Sequence, residues 1–256
     1  MSEQDILTLP APPADFRLSY GGDPQQFGEL RIPKSGRSHP LVVNLHGGYW
    51  RSRYTLAHSG HVCAALTAKG AASWNLEYRR VGNPGGGWPG SFEDVRNGFR
   101  FITQAREQYD LDLARIVVMG HSAGGQLALC LAAHEPSLRR VVSLSGVVEL
   151  AEAFELHLGD DAVVEFLGGT PKQVPDHYEE ADPLRLQLKA TQWLVHGATD
   201  DVVPASLSRD YTQTKKGRGE DVHYLEIGSA NHFDLIDPRS SAWPRVEATI
   251  LHLLNS

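Results

Sequence analysis

The stretch Gly120-His121-Ser122-Ala123-Gly124 constrains the fold of this chain more than any other. An apolar-leaning run, Arg115–Met119, enters it, and a helix-like run, Gln126–Ala133, leaves it. A strand that turns into a helix over five residues brings its neighbours very close. Glycines at both ends remove the Cβ atoms that would block that approach. Such a turn forces strained angles on the central serine, lifts its hydroxyl above the sheet, and aims the next helix N-terminus at it. The pentapeptide alone also suits an ordinary Gly-rich turn before a helix, so its partners elsewhere decide the reading.

The flanking pattern is one of alternating strands and helices. Leu41–Leu45, Ala72–Tyr78, Ile116–Met119, Val141–Leu144, Thr191–Val195 and Val222–Ile227 are short apolar runs suited to buried parallel strands. Helix-like sequence lies between them: one stretch ends at Lys69 before Gly70, another runs from Ser91 to about Tyr109, and Trp243–Leu254 closes the chain. Ser91 with Asp94 three residues on forms an approximate capping box. This rhythm predicts an α/β fold with a mostly parallel sheet flanked by helices on both faces. Phe16–Tyr20 and Phe27–Ile32, around Gly21-Gly22-Asp23-Pro24, predict an antiparallel hairpin at the sheet edge. Residues 1–15, with Pro10, Pro12 and Pro13, predict an extended arm. Glu149–Asp182 breaks the rhythm and reads as one or two short helices, either a small cap over a pocket or a surface excursion. A length of 256 residues suits a single domain spanning 1–256 with 149–182 inserted in it.

Composition narrows the function classes. A net charge of −7 and the lack of a Lys/Arg block argue against nucleic acid as a partner. No apolar run approaches the roughly 20 residues needed to span a bilayer. Cys63 and Cys130 both sit in helix-like runs and suit two buried thiols in a reducing compartment. The polar, acidic opening Met1-Ser2-Glu3-Gln4-Asp5 is unlike a secretory leader, so a cytoplasmic location is expected. A homodimer is compatible with all of this. Metal-ligand spacings are missing, Gly85-Gly86-Gly87 lacks the Lys-Ser/Thr of a phosphate loop, and no dinucleotide fingerprint occurs. No cofactor and no metal are therefore expected.

The chemistry suggested by a strand-end serine needs a base and a group that orients the base. His196-Gly197-Ala198-Thr199-Asp200-Asp201 begins where a strand ends, and either aspartate could serve as the acid while the other caps a helix near Pro204. His232, in Asn231-His232-Phe233 after the last strand, sits where the base belongs; position selects it among 12 histidines. His196 and His46 suit loop-holding hydrogen bonds, and His121 is expected to point away from the serine hydroxyl. An oxyanion needs preset N–H donors. Ala123 supplies one, and His46-Gly47-Gly48-Tyr49-Trp50 supplies others, Gly48 and Tyr49 first and Gly47 next. Tyr49, Trp50 and Trp88 suit either an aromatic substrate wall or plain packing.

Taken together, His46-Gly47-Gly48-Tyr49-Trp50, Gly120-His121-Ser122-Ala123-Gly124-Gly125, the Asp200 motif and Asn231-His232-Phe233 resemble the α/β-hydrolases of the esterase and arylformamidase-like group. The resemblance runs from about Leu41 to the C-terminus. It implies Ser122, Asp200 and His232 as a catalytic triad, with Asp200 chosen over Asp201 by the family's spacing. It implies a serine hydrolase that cleaves a small carboxylic ester through an acyl-enzyme. The His-Gly-Gly-Tyr-Trp form is similar to that of kynurenine formamidases, which makes an arylformamidase the alternative; a non-catalytic ligand-binding homologue is the remaining one. Hormone-sensitive-lipase-like esterases carry a third glycine where this chain has Tyr49, which sets it apart from that branch.

Overall fold

The computed structural model describes residues 4–256; the opening Met1-Ser2-Glu3 lies outside them. Within that range the strands are β1 (Phe16–Ser19), β2 (Phe27–Arg31), β3 (His39–Leu45), β4 (Ala72–Leu76), β5 (Leu111–His121), β6 (Arg140–Leu144), β7 (Thr191–Gly197) and β8 (Val222–Ile227). They form one sheet in the order β1-β2-β4-β3-β5-β6-β7-β8. β1 and β2 pair antiparallel as the expected edge hairpin, β2 pairs antiparallel with β4, and the pairs from β4 through β8 are parallel.

The parallel strands bury both faces because their residues alternate between two apolar layers. Leu41, Val43 and Leu45 enter one cluster with helices α3 (Gly90–Gln104), α4 (Ala123–His134) and α8 (Ala205–Gly217). Val42 enters the other with α2 (Gly60–Ala68) and α9 (Trp243–Leu254). α3 earns its place through Phe92, Val95, Phe99 and Ile102, which recur at helical spacing on its buried face. α4 is buried from Ala123 to Ala132, which its nearly unbroken apolar sequence permits.

Register fixes where chemistry can gather. Leu45 pairs with Gly120, Gly120 with Ser143, Leu144 with Val195, and Gly197 with Ile227. The strands therefore end together, and the segments that follow them converge on one sheet edge, where open α/β sheets bind ligands.

Several local expectations need correction. Residues 4–8 form a short helix, α1 (Gln4–Thr8), rather than part of an extended arm, because Ile6 finds a buried site there. α3 stops at Gln104, well before Tyr109. No capping box forms: Ser91 lies inside α3, accepts from Gly87 N–H and donates to the Arg79 carbonyl, while Asp94 is held by Arg79 at 2.7 Å. The segment between β6 and β7 holds three short helices, α5 (Leu150–Glu155), α6 (Ala162–Leu167) and α7 (Pro175–Ala181), not one or two. Among the described residues no helix is long and apolar enough to cross a membrane.

Candidate active site

Ser122 stands between β5 and α4 with φ 55 and ψ −121. A non-glycine residue in such a conformation costs about 1–3 kcal/mol and persists only where the surroundings enforce it. Here Ser122 N–H donates to the Leu144 carbonyl at 2.9 Å, and the Ser122 carbonyl accepts from Gly125 N–H at 2.9 Å. The two motif glycines are needed for contact: a Cβ at Gly120 would strike the Gly124 carbonyl, and one at Gly124 would strike the Leu45 carbonyl.

His232 is presented by a compact turn in which Asn231 Oδ1 accepts from the N–H groups of Phe233 and Asp234, both at 3.0 Å. Its Nδ1 meets Asp200 Oδ2 at 2.8 Å. The carboxylate accepts, so Nδ1 carries a proton, and in the neutral imidazole Nε2 is then the acceptor. The other Asp200 oxygen accepts from Val202 and Val203 N–H at 2.9 and 2.8 Å. Burial alone would favour the neutral acid, but hydrogen bonds from His196 and His232 hold the Asp200 carboxyl well below its usual range. Asp201 is exposed and takes no part; neither aspartate caps α8, whose N-cap is Pro204. His196 bonds Ser208 Oγ and the Val203 carbonyl, and so holds the loop as expected.

Ser122 and His232 line one pocket, together with Tyr49, Tyr54, His58 and Leu7. Among the described residues no hydrogen bond joins the Ser122 hydroxyl to His232. A larger, open groove lies beside Arg31 and Lys34, and it contains none of these groups. No group of three or more His, Cys, Asp or Glu side chains among the described residues is placed to hold a metal ion.

The loop after β3 passes beside the serine: a Cβ on Gly47 would lie 3.0 Å from Ser122 Cβ. Gly48, Tyr49 and Trp50 all have left-handed φ values of 118, 54 and 56, and Arg51 N–H closes the turn on the Gly48 carbonyl at 3.0 Å. Glycine is required at position 48, where a side chain would collide with Tyr54. The N–H groups of Gly48, Tyr49 and Ala123 find no acceptor among the described residues, so all three are free to donate.

This loop is held by a buried cluster in which His46 takes its expected loop-holding role and Glu77 and Arg80, which the sequence pattern does not mark, join it. His46 Nε2 contacts Glu77 Oε1 at 2.8 Å and its Nδ1 contacts the Gly47 carbonyl at 2.7 Å. Arg80 bonds Glu77 and the Tyr54 carbonyl, Leu56 N–H donates to Glu77 Oε2, and Tyr78 hydroxyl donates to the His46 carbonyl. Burial opposes the Glu77 charge, but His46 and Arg80 outweigh it and hold the carboxyl below its usual value. The one signal in the sequence is a Glu directly after an apolar strand. His121 was missed in another way: its Nε2 donates to the His232 carbonyl at 2.9 Å, and burial beside His232 keeps the ring neutral.

Of the three expected aromatic contacts only Tyr49 reaches the pocket. Trp50 is 2% exposed, stacks on Phe166 at 4.5 Å and donates to Gln126. Trp88 stacks on Phe92 at 5.2 Å. Both indoles therefore pack rather than line the opening. The α5–α7 segment adjoins the loop: the Tyr49 ring abuts Gly159, and Arg51 bonds Glu165 at 2.7 Å and the Asp160 carbonyl at 3.0 Å.

Known proteins share this plan. The BD-FAE family model matches residues 29–214. Esterase LipC of Mycobacterium tuberculosis is 26% identical, over 86% of this chain and 60% of its own length. The chain thus spans about three fifths of that relative. Kynurenine formamidase of Danio rerio is 22% identical, over 86% of this chain and 75% of its own. The crystal structure of esterase B from Lactobacillus rhamnosis superposes with a TM-score of 0.79 at 20% identity, covering 99% of this chain and 88% of that one. The architecture is the α/β-hydrolase fold.

Proposed function

The chain belongs to the BD-FAE family, and we propose that it is a serine hydrolase of small carboxylic esters. Ser122 is the nucleophile, His232 the general base and Asp200 the group that orients it. The observation that carries this reading is the 2.8 Å bond between Asp200 and His232 Nδ1, which orients the ring at the pocket Ser122 lines so that, in the neutral imidazole, Nε2 is the proton acceptor. Substrate entry brings Ser122 Oγ onto Nε2, a contact that commonly tightens only in the complex. His232 takes the hydroxyl proton as Oγ attacks the ester carbonyl. The new oxyanion is met by the N–H groups of Gly48, Tyr49 and Ala123. His232 returns the proton to the leaving alkoxide, then activates the water that releases the acid. The Glu77 cluster keeps the donor loop in its left-handed turn, and His121 fixes the main chain of His232.

We read residues 1–256 as one domain and 149–182 as a small cap whose contact with Tyr49 shapes the substrate mouth. Trp50 and Trp88 support that mouth from behind. Cys63 and Cys130, both buried and free, suit the reducing cytoplasm.

Arylformamide hydrolysis is the second reading, because the Danio rerio formamidase is matched over a larger share of its length than esterase LipC. The same triad would serve an amide. Turnover of 4-nitrophenyl butyrate and of N-formylkynurenine, each with the Ser122→Ala protein as control, decides between them. Ester turnover lost on Ser122→Ala supports the esterase; Ser122-dependent turnover of the formamide alone moves the chain to the second reading.

A further inference from the structure

We propose that Leu7, carried on the N-terminal helix α1, closes the Ser122 pocket on its acyl side and restricts substrates to short acyl groups; this rests on the esterase reading above. Leu7 lines the same pocket as Ser122 and His232, although it lies 115 positions before the serine in sequence. Its placement is built into the fold. Ile6 is 1% exposed, and α1 packs against the 3₁₀ turn Leu56–Ser59. His61 Nε2 contacts the Leu9 carbonyl at 3.3 Å, and Arg31 donates to the Pro12 carbonyl at 2.7 Å. Gly60 lets the segment lie flat, since a Cβ there would meet Ala11. Residues 6–12 thus form a strap along α2, clipped at several points, that delivers one leucine over the pocket.

Tyr54, His58, Val202 and Phe233 line the same pocket as Leu7. Burial and the neighbouring His46 push the His58 pKa down to about 3, so its imidazole stays neutral and presents no charge to an acyl chain. The alcohol must leave before water enters, whereas the acyl group stays until deacylation. On this proposal the side that Leu7 narrows holds the acyl group, and the rest of the pocket holds the alcohol.

The test compares kcat/KM for 4-nitrophenyl acetate, butyrate and octanoate in the unmodified protein, Leu7→Ala and Leu7→Trp, alongside the rates at which ethyl and octyl fluorophosphonates label Ser122. The unmodified protein is expected to favour acetate over octanoate. Leu7→Ala should raise the octanoate-to-acetate ratio by roughly tenfold or more, since one methylene alone alters discrimination by that order. Leu7→Trp should lower the butyrate-to-acetate ratio, which guards against a variant that simply loosens the strap. Octyl labelling should accelerate in Leu7→Ala and slow in Leu7→Trp. Unchanged ratios in both variants overturn the role of Leu7 and leave the esterase reading standing. An unmodified protein that neither turns over esters nor takes label at Ser122 overturns both.

Discussion

Replacing Asp200 by asparagine exchanges one charged carboxylate oxygen for an NH2 group and changes almost no shape. Asp200 Oδ1 accepts from Val202 and Val203 N–H, and the asparagine carbonyl can keep both bonds. The change falls on the other oxygen, which meets His232 Nδ1 at 2.8 Å with both side chains almost fully buried. An amide there presents a donor, so the ring must leave Nδ1 bare and carry its proton on Nε2. That nitrogen can then no longer take a proton from Ser122. The imidazolium formed during attack also loses its counter-charge. Two unit charges about 4 Å apart at an effective dielectric near 20 attract by about 4 kcal/mol, which is on the order of a thousandfold in rate. The expected result is a kcat for 4-nitrophenyl butyrate lower by about 10³ or more, with a thermal midpoint close to that of the parent. Asp201→Asn, at an exposed site outside the network, is the matched control. An Asp200→Asn protein that retains more than about a tenth of kcat would refute the assignment of the orienting group.

Two further outcomes follow from the buried charges. Glu77→Gln leaves the Arg80 guanidinium buried without its carboxylate, so stability to urea should fall by about 3–5 kcal/mol; an unchanged midpoint contradicts the ionic account of the loop. Asp182, 1% exposed, has a pKa pushed up by burial from 3.8 to about 6. Its proton is held more tightly in the folded state, so its contribution is complete below the unfolded value and is lost as pH rises through about 6. Two pKa units correspond to about 3 kcal/mol at most. Asp182→Asn should thus gain thermal stability over the parent on going from acid to neutral pH; a difference independent of pH removes Asp182 from the account.

What the sequence disclosed, and what it hid, divides by range of interaction. Leu41–Leu45 announced its strand because alternate residues must fill two layers, and Gly120 and Gly124 announced the elbow because a Cβ at either would strike a carbonyl. Asp200 and His232 were legible by position, since strand ends converge. Glu77, His121 and Leu7 were not: each acts through a partner that is distant in sequence or a main-chain atom, and neither leaves a periodic trace. Ser91 and Asp94 showed the opposite failure, a local capping pattern overridden by a long-range pairing with Arg79. Trp50 and Trp88 sit near the right motifs, yet the Phe166 ring of α6 claims both.

The central claim is that Ser122 is a nucleophile activated in place. Its most direct test is to expose the protein and its His232→Ala variant to a fluorophosphonate and locate the adduct by peptide mass spectrometry. The account predicts one adduct per chain, on Ser122, with labelling nearly abolished in His232→Ala although that variant remains folded. Folded protein that takes no label at Ser122, or labels equally well without His232, contradicts it.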